Sequence, residues 1–209
     1  MRLPPARATV ALGGVTVAAF LLLGATGLQD RANILGAFIP ARAAGLMQLS
    51  GSVPVWLTPL SACLLHGGLL HLAFNLLMLG FCGRFVEVAV GARGIVLLYV
   101  AGAYAAALAQ FLLGPADTSP MIGASGAISA LLGAYALLYG ERRASVANRR
   151  LNALLNVVWL AAAWIGLQLL VGLAMSGPDG GIAIGAHIGG FLAGLALARP
   201  LLLWRYRSA

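Results

Sequence analysis

Apolar residues run through this chain in six long blocks, at about 8–28, 69–86, 94–114, 121–139, 152–175 and 182–204, each near the length that crosses a bilayer as a helix. Between the blocks polar residues occupy short turns, except in a first connection of about residues 29–68, which mixes apolar residues with Pro54, Trp56 and Pro59. The pattern predicts an all-α polytopic membrane protein, a bundle of six transmembrane helices whose first loop lies at the membrane interface, where tryptophan is favoured. The first block follows Arg2 and Arg7 but runs too long for the apolar region of a signal peptide and is not followed by a convincing cleavage site, so it is expected to be a helix. No repeat or low-complexity linker divides the blocks, and residues 1–209 are expected to form a single membrane domain.

Composition sharpens this picture. Hydrophobic residues are 61% of the chain and charged residues 9%, a balance that would force a soluble domain to expose apolar surface. The excess of 13 basic over 5 acidic residues would suggest nucleic acid in a soluble chain. Here the basic residues are all arginine and flank the apolar blocks, so they read as topology signals, and no nucleic-acid partner is expected. In a six-span arrangement Arg2, Arg7, Arg84, Arg93, Arg142, Arg143, Arg149, Arg150, Arg199, Arg205 and Arg207 fall on one side, and only Arg31 and Arg42 on the other. The positive-inside rule then puts both termini in the cytoplasm and the first loop, with the turns near Asp117 and Asp179, outside. All-arginine usage with abundant Ala, Gly and Leu hints at a bacterial genome rich in G and C, hence a bacterial inner membrane. Cys63 and Cys82 fall near opposite ends of the second block, about 28 Å apart along a helix, so free thiols are expected rather than a disulfide.

Four polar residues stand out because they lie inside the apolar blocks. Counting the helical rise from the cytoplasmic charges puts Ser125 about 24 Å above Glu141, His71 about 20 Å above Arg84, and His187 between about 18 Å above Arg199 and about 27 Å above Arg205. These three share one level, somewhat below the outer surface of a hydrocarbon core of about 30 Å, and Asn75 follows His71 on the same helix face one turn deeper. Their neighbours are small. Gly126 adjoins Ser125; Ser125, Ser129 and Gly133 follow one another at i+4; and His187 is followed by Gly190 and Gly194, so two smooth faces can bring His187 within hydrogen-bond reach of Ser125. A hydroxyl needs a neutral imidazole to become a nucleophile, and the oxyanion it generates needs preorganised donors. Ser125 and His187 are the candidate nucleophile and base; His71, Asn75 and the backbone N–H of Ser125 are the candidate oxyanion donors. All five acids lie near span ends or in loops, which points to a Ser–His dyad rather than a triad. No metal or cofactor is expected. Each residue also has a plainer reading: an intramembrane Ser bonded back to its own helix, or a His or Asn bridging helices. His66 stays open between the rim of a site and interfacial packing, and Ser129 reads as a small packing residue.

The stretch from Trp56-Leu57-Thr58-Pro59 through His66-Gly67-Gly68-Leu69-Leu70-His71 to Asn75 resembles the loop and second-helix signature of the rhomboid intramembrane serine proteases. Gly83-x-x-x-Glu87-x-x-x-Gly91, Gly123-Ala124-Ser125-Gly126 and Ala186-His187-Ile188-Gly189-Gly190-x-x-x-Gly194 follow in that family's order, and the likeness covers about residues 54–200. The resemblance implies a six-helix core in which Ser125 begins a short fourth helix and His187 acts as general base and then acid, with His71, Asn75 and the Ser125 amide as oxyanion contributors. It implies a serine endopeptidase whose substrates are single-span membrane proteins, cut in or near the outer part of their transmembrane segment. Two positions depart from the pattern. Leu57 stands where an Arg usually follows the tryptophan, and Ser129 stands where an aromatic often packs on the catalytic His, so His187 has to be oriented by another group.

Two other classes compete. A catalytically dead binding protein of the same family would keep the bundle but lose the dyad, and a transporter or channel would be expected to show repeated halves or broken helices, neither of which is clear in this sequence. The substrate's identity, any role in processing C-terminal sorting tails, and the oligomeric state are not legible.

Overall fold

The computed structural model describes residues 6–139, 148–175 and 183–207, and every regular element among them is helical. The expected turns carrying Arg142 and Arg143 and carrying Asp179 lie outside the described residues, as does Arg2.

Helix α1 spans Arg7–Ala25, a mostly apolar run without proline. The free N–H groups of its first turn need acceptors, and the carboxylate of Glu87 supplies them: it accepts from Ala8 N at 3.0 Å, Thr9 N at 2.8 Å and Thr9 Oγ1 at 2.7 Å. The first connection is more ordered than an interfacial loop. It holds short helices α2 (Gln29–Leu35), α3 (Pro40–Ala43) and α4 (Thr58–Ala62), with a 3-10 turn at Val55–Leu57. Ala37, Ile39 and Ala41 form a small core of their own against Met47 and Ile122. Cys63 belongs to the end of α4 and not to the second span; it and Cys82 are buried free thiols.

Helix α5 (Leu69–Met78), a π-helical turn (Leu79–Gly83) and α6 (Arg84–Leu113) follow without a break, a run of 45 residues that is too long for one crossing. The chain reverses inside α6 at Gly91, whose φ of 78° is readily adopted only by glycine. Contacts with α7 (Ser125–Tyr139) show the reversal. His71 lies beside Gly123 at the start of α7, and Phe85 O accepts from Tyr139 OH at its end, at 2.9 Å. Beyond Gly91 the order inverts, because Gly102 meets Ala130 and Ala106 meets Gly126. The predicted second and third spans are thus the two arms of one hairpin, and the second span reaches past residue 86 to the turn at Gly91.

The fourth block, expected to be helical from about 121, begins its helix at Ser125. Residues 121–124 form a bridge at Met121 and then a bend instead: Phe38 N donates to Met121 O at 3.1 Å, Met121 N donates to Phe38 O at 2.8 Å, and Gly123 N donates to Ala62 O at 2.9 Å. Helices α8 (Arg149–Met175) and α9 (Ile184–Arg205) complete the bundle.

Helix α7 is the centre. Gly126 through Ala134 are all buried, sandwiched between α6 and α9, while Leu22, Leu77, Leu108, Leu112 and Leu192 point outward and are exposed. An interior of small residues beneath a surface of large apolar ones is the arrangement of a protein solvated by lipid. The molecule is an integral membrane protein of the all-α class.

Candidate active site

Ser125 is the first residue of α7, so its backbone N–H is among the four at a helix start that have no intrahelical acceptor. The loop before it is pinned on both sides by the pairings with Phe38 and Ala62, which fixes where the hydroxyl emerges. His187 lies in the first turn of α9 and is buried, and its Nε2 stands 2.9 Å from Ser125 Oγ. For Nε2 to accept the hydroxyl proton the neutral ring must carry its own proton on Nδ1.

Glycine makes this distance possible. A Cβ on Gly190 would collide with Gly126 O, one on Gly194 with Ala130 O, and one on Gly133 with Phe191 O, so α7 and α9 run backbone to backbone directly beneath the pair. On its other flank Gly126 faces Ala106, where a Cβ would come within 2.6 Å of the alanine methyl.

The two remaining sequence candidates approach from α5. The His71 ring covers Gly123, where an added Cβ would lie 2.6 Å from His71 Nε2, and φ at Gly123 is 107°, so glycine is required there for both space and conformation. Gly67 N donates to His71 Nδ1 at 3.4 Å, which leaves Nε2–H as the donor turned toward the Ser125 loop. Asn75 is buried one turn deeper; its Nδ2 donates to His71 O at 2.9 Å and its Oδ1 has no partner. Because His71 O can only accept, the orientation of the amide is fixed and its second N–H stays available. Among the described residues no hydrogen bond joins His71 or Asn75 to Ser125 itself.

His66 is fully buried and packs edge-on against His71 with ring centroids 4.9 Å apart, so it backs His71 rather than lining a rim. Of the described carboxylates, Glu87 is committed to the start of α1 at the opposite end of the bundle, and Asp117 accepts from Ser119 N in the loop. No cluster of three or more metal-ligating side chains occurs among the described residues.

Ser129 is not merely a small packing residue. Its hydroxyl donates to Ser125 O at 2.7 Å and accepts from Trp164 Nε1 at 2.7 Å, and the indole meets the His187 ring in a T-shaped contact with centroids 6.3 Å apart. Trp164 was invisible to sequence reasoning, since it sits in an apolar block beside Trp159, which is exposed. The signal that bears on it is indirect: with serine at position 129, any aromatic packed on His187 has to come from another helix.

The chain that carries this serine and imidazole matches a known family model. The Rhomboid domain model covers residues 54–204. The chain belongs to the rhomboid family. Among curated relatives it is 37% identical over 148 residues to the rhomboid protease GluP of Bacillus subtilis, covering 69% of this chain and 27% of that protein. It is 33% identical over 141 residues to the rhomboid protease GlpG of Klebsiella pneumoniae, covering 66% of this chain and 46% of that protein. A rhomboid protease GlpG from an Enterobacter strain is 33% identical over 138 residues, covering 65% of this chain and 45% of that protein. The chain thus spans less than half the length of these relatives. Just ahead of the matched domain and of Leu57, Arg42 ties the first connection together by donating from Nη2 to Ser52 Oγ at 2.6 Å and to Val53 O at 3.0 Å.

Proposed function

We propose that this rhomboid protein is an intramembrane serine endopeptidase that cuts transmembrane segments with a Ser125–His187 dyad. The observation that carries the reading is the 2.9 Å approach of His187 Nε2 to Ser125 Oγ. The relatives' naming as rhomboid proteases supports the same reaction class. A transporter would need no such pair, and a dead homologue would not retain it.

In the first step Ser125 Oγ attacks the scissile carbonyl carbon as its proton passes to His187 Nε2. The carbonyl oxygen becomes an oxyanion within reach of the Ser125 N–H, with His71 Nε2–H and the free Asn75 N–H as further donors. His187 then returns the proton to the leaving amine as the C–N bond breaks. Water attacks the resulting ester by the same route in reverse, so a dyad suffices. Ser125 is only half-buried, and that opening lies at the end of the bundle that carries the first loop. The arginine asymmetry assigns this end to the outer side of a bacterial inner membrane, with both termini cytoplasmic.

Substrates of this reading are single-span membrane proteins. A peptide bond in a regular helix has its backbone groups hydrogen-bonded, so the target has to unwind locally before Ser125 can reach it. The purified protein is therefore expected to cleave a reporter span bearing Gly, Pro or polar residues near small residues at the cut, and to leave a poly-Leu version of the same span intact. Equal cleavage of both spans at the same bond would remove local unwinding as the gate. No cleavage of any span by folded protein would remove the protease reading.

A further inference from the structure

We infer that Trp164, held by Ser129, is the positioning residue that sets the orientation of the His187 imidazole. The inference rests on the protease reading and extends it to a helix that the dyad itself does not involve. Trp164 lies on α8, is buried, and presents its ring to His187 at an interplanar angle of 74°. An indole packed only by apolar neighbours could rotate. This one is tied by its N–H to Ser129 Oγ, and the same oxygen donates its own proton to Ser125 O, so the hydroxyl is used once as acceptor and once as donor.

The chain of contacts therefore closes on itself. His187 meets Ser125 through its Nε2 and Trp164 through its ring; Trp164 meets Ser129; and Ser129 meets the carbonyl of Ser125. Three helices are coupled through one hydroxyl. Serine at position 129 brings no ring to His187 from α7; Trp164 brings one from α8 and uses the serine hydroxyl as its anchor. No described carboxylate is bonded to His187, and among the described residues this ring contact is the restraint that keeps Nε2 aimed at Oγ. A serine at 129 has room because Gly190 lies opposite, where a Cβ would stand 3.1 Å from Ser129 Cβ.

The test is a mutant cycle in the full-length protein, read in two assays: turnover of a helix-breaking reporter span, and the rate at which Ser125 reacts with a small fluorophosphonate that needs no transmembrane docking. Trp164→Phe keeps a ring but removes the N–H, and Ser129→Ala removes the acceptor. Each is expected to lower kcat and the phosphonylation rate by several-fold, up to about a hundredfold if the ring drifts by about 1 Å, with KM within twofold of wild type. Because both break the same bond, the double variant should be no slower than the worse single variant. Trp164→Ala should be the slowest, and adding Ser129→Tyr to it should recover activity by returning a ring from α7. Variants that leave both rates unchanged, that act on KM alone, or whose single effects multiply in the double variant would overturn the positioning role. Failure of the wild type to react with the phosphonate would instead overturn the protease reading beneath it.

Discussion

At the scale of single residues, the site is an economy of donors. His71 accepts at Nδ1 from Gly67 N and Asn75 donates one amide hydrogen to His71 O, so each retains an N–H that the proposed mechanism assigns to charge appearing only during reaction. Neither donor is aimed at a ground-state partner among the described residues, as expected of groups whose role is to meet an oxyanion. Removing one donor of this kind typically costs about 2.7–4 kcal/mol in the transition state, or roughly a hundredfold or more in rate. Asn75→Ala and His71→Ala are therefore expected to fold, as judged by thermal unfolding in detergent, and to turn over reporter roughly a hundredfold more slowly. Variants that unfold while any folded fraction keeps normal turnover would make these residues structural. Ser125 and His187 were legible in the sequence because a hydroxyl and an imidazole in lipid need an explanation. Trp164 was not, because an aromatic ring in lipid needs none. Ser129 does pack as a small residue against Gly190, but its bond to Trp164, 35 residues away, is indicated by no local pattern.

At the scale of helices, association in lipid has no hydrophobic drive and depends on how closely backbones can pack. The α7–α9 contact shows what that requires, since Gly190 and Gly194 leave no space for a methyl against the Gly126 and Ala130 carbonyls. Backbone cannot yield as a side-chain tip can, so Gly194→Ala should lower stability by about 1–3 kcal/mol and reduce turnover by separating His187 from Ser125. Gly14→Ala on α1, where nothing lies within 4 Å, is the matched control and should unfold no earlier than wild type. Equal unfolding temperatures for the two variants would contradict the close-packing account. The apolar blocks announced the long helices because lipid imposes length and hydropathy together. What they could not announce was tertiary: the π turn at Leu79–Gly83, the delayed start of α7 at Ser125, and the order within the first connection. The delay comes from main-chain pairing with Phe38 and Ala62, far away in sequence, together with the positive φ of Gly123.

At the scale of the molecule, the two ends of the bundle do different things. One end is fastened by Glu87 on the start of α1, by Tyr139 on Phe85 O, and by Arg205 on the carbonyls of Glu87 and Val88 beside the Gly91 turn. The other end carries the half-open Ser125 beneath the first loop. Most arginines, Arg84, Arg93 and Arg205 among them, belong to the fastened end and only Arg31 and Arg42 to the other, so the proposed reaction is expected to face away from the cytoplasm. The most direct measurement exposes membrane vesicles of known sidedness to a membrane-impermeant fluorophosphonate and locates the labelled residue by mass spectrometry. Right-side-out vesicles should label at Ser125, inverted vesicles should not, and Ser125→Ala and His187→Ala should both be blank. Folded wild-type protein that stays unlabelled from either face, or that labels as well without His187, would contradict the dyad.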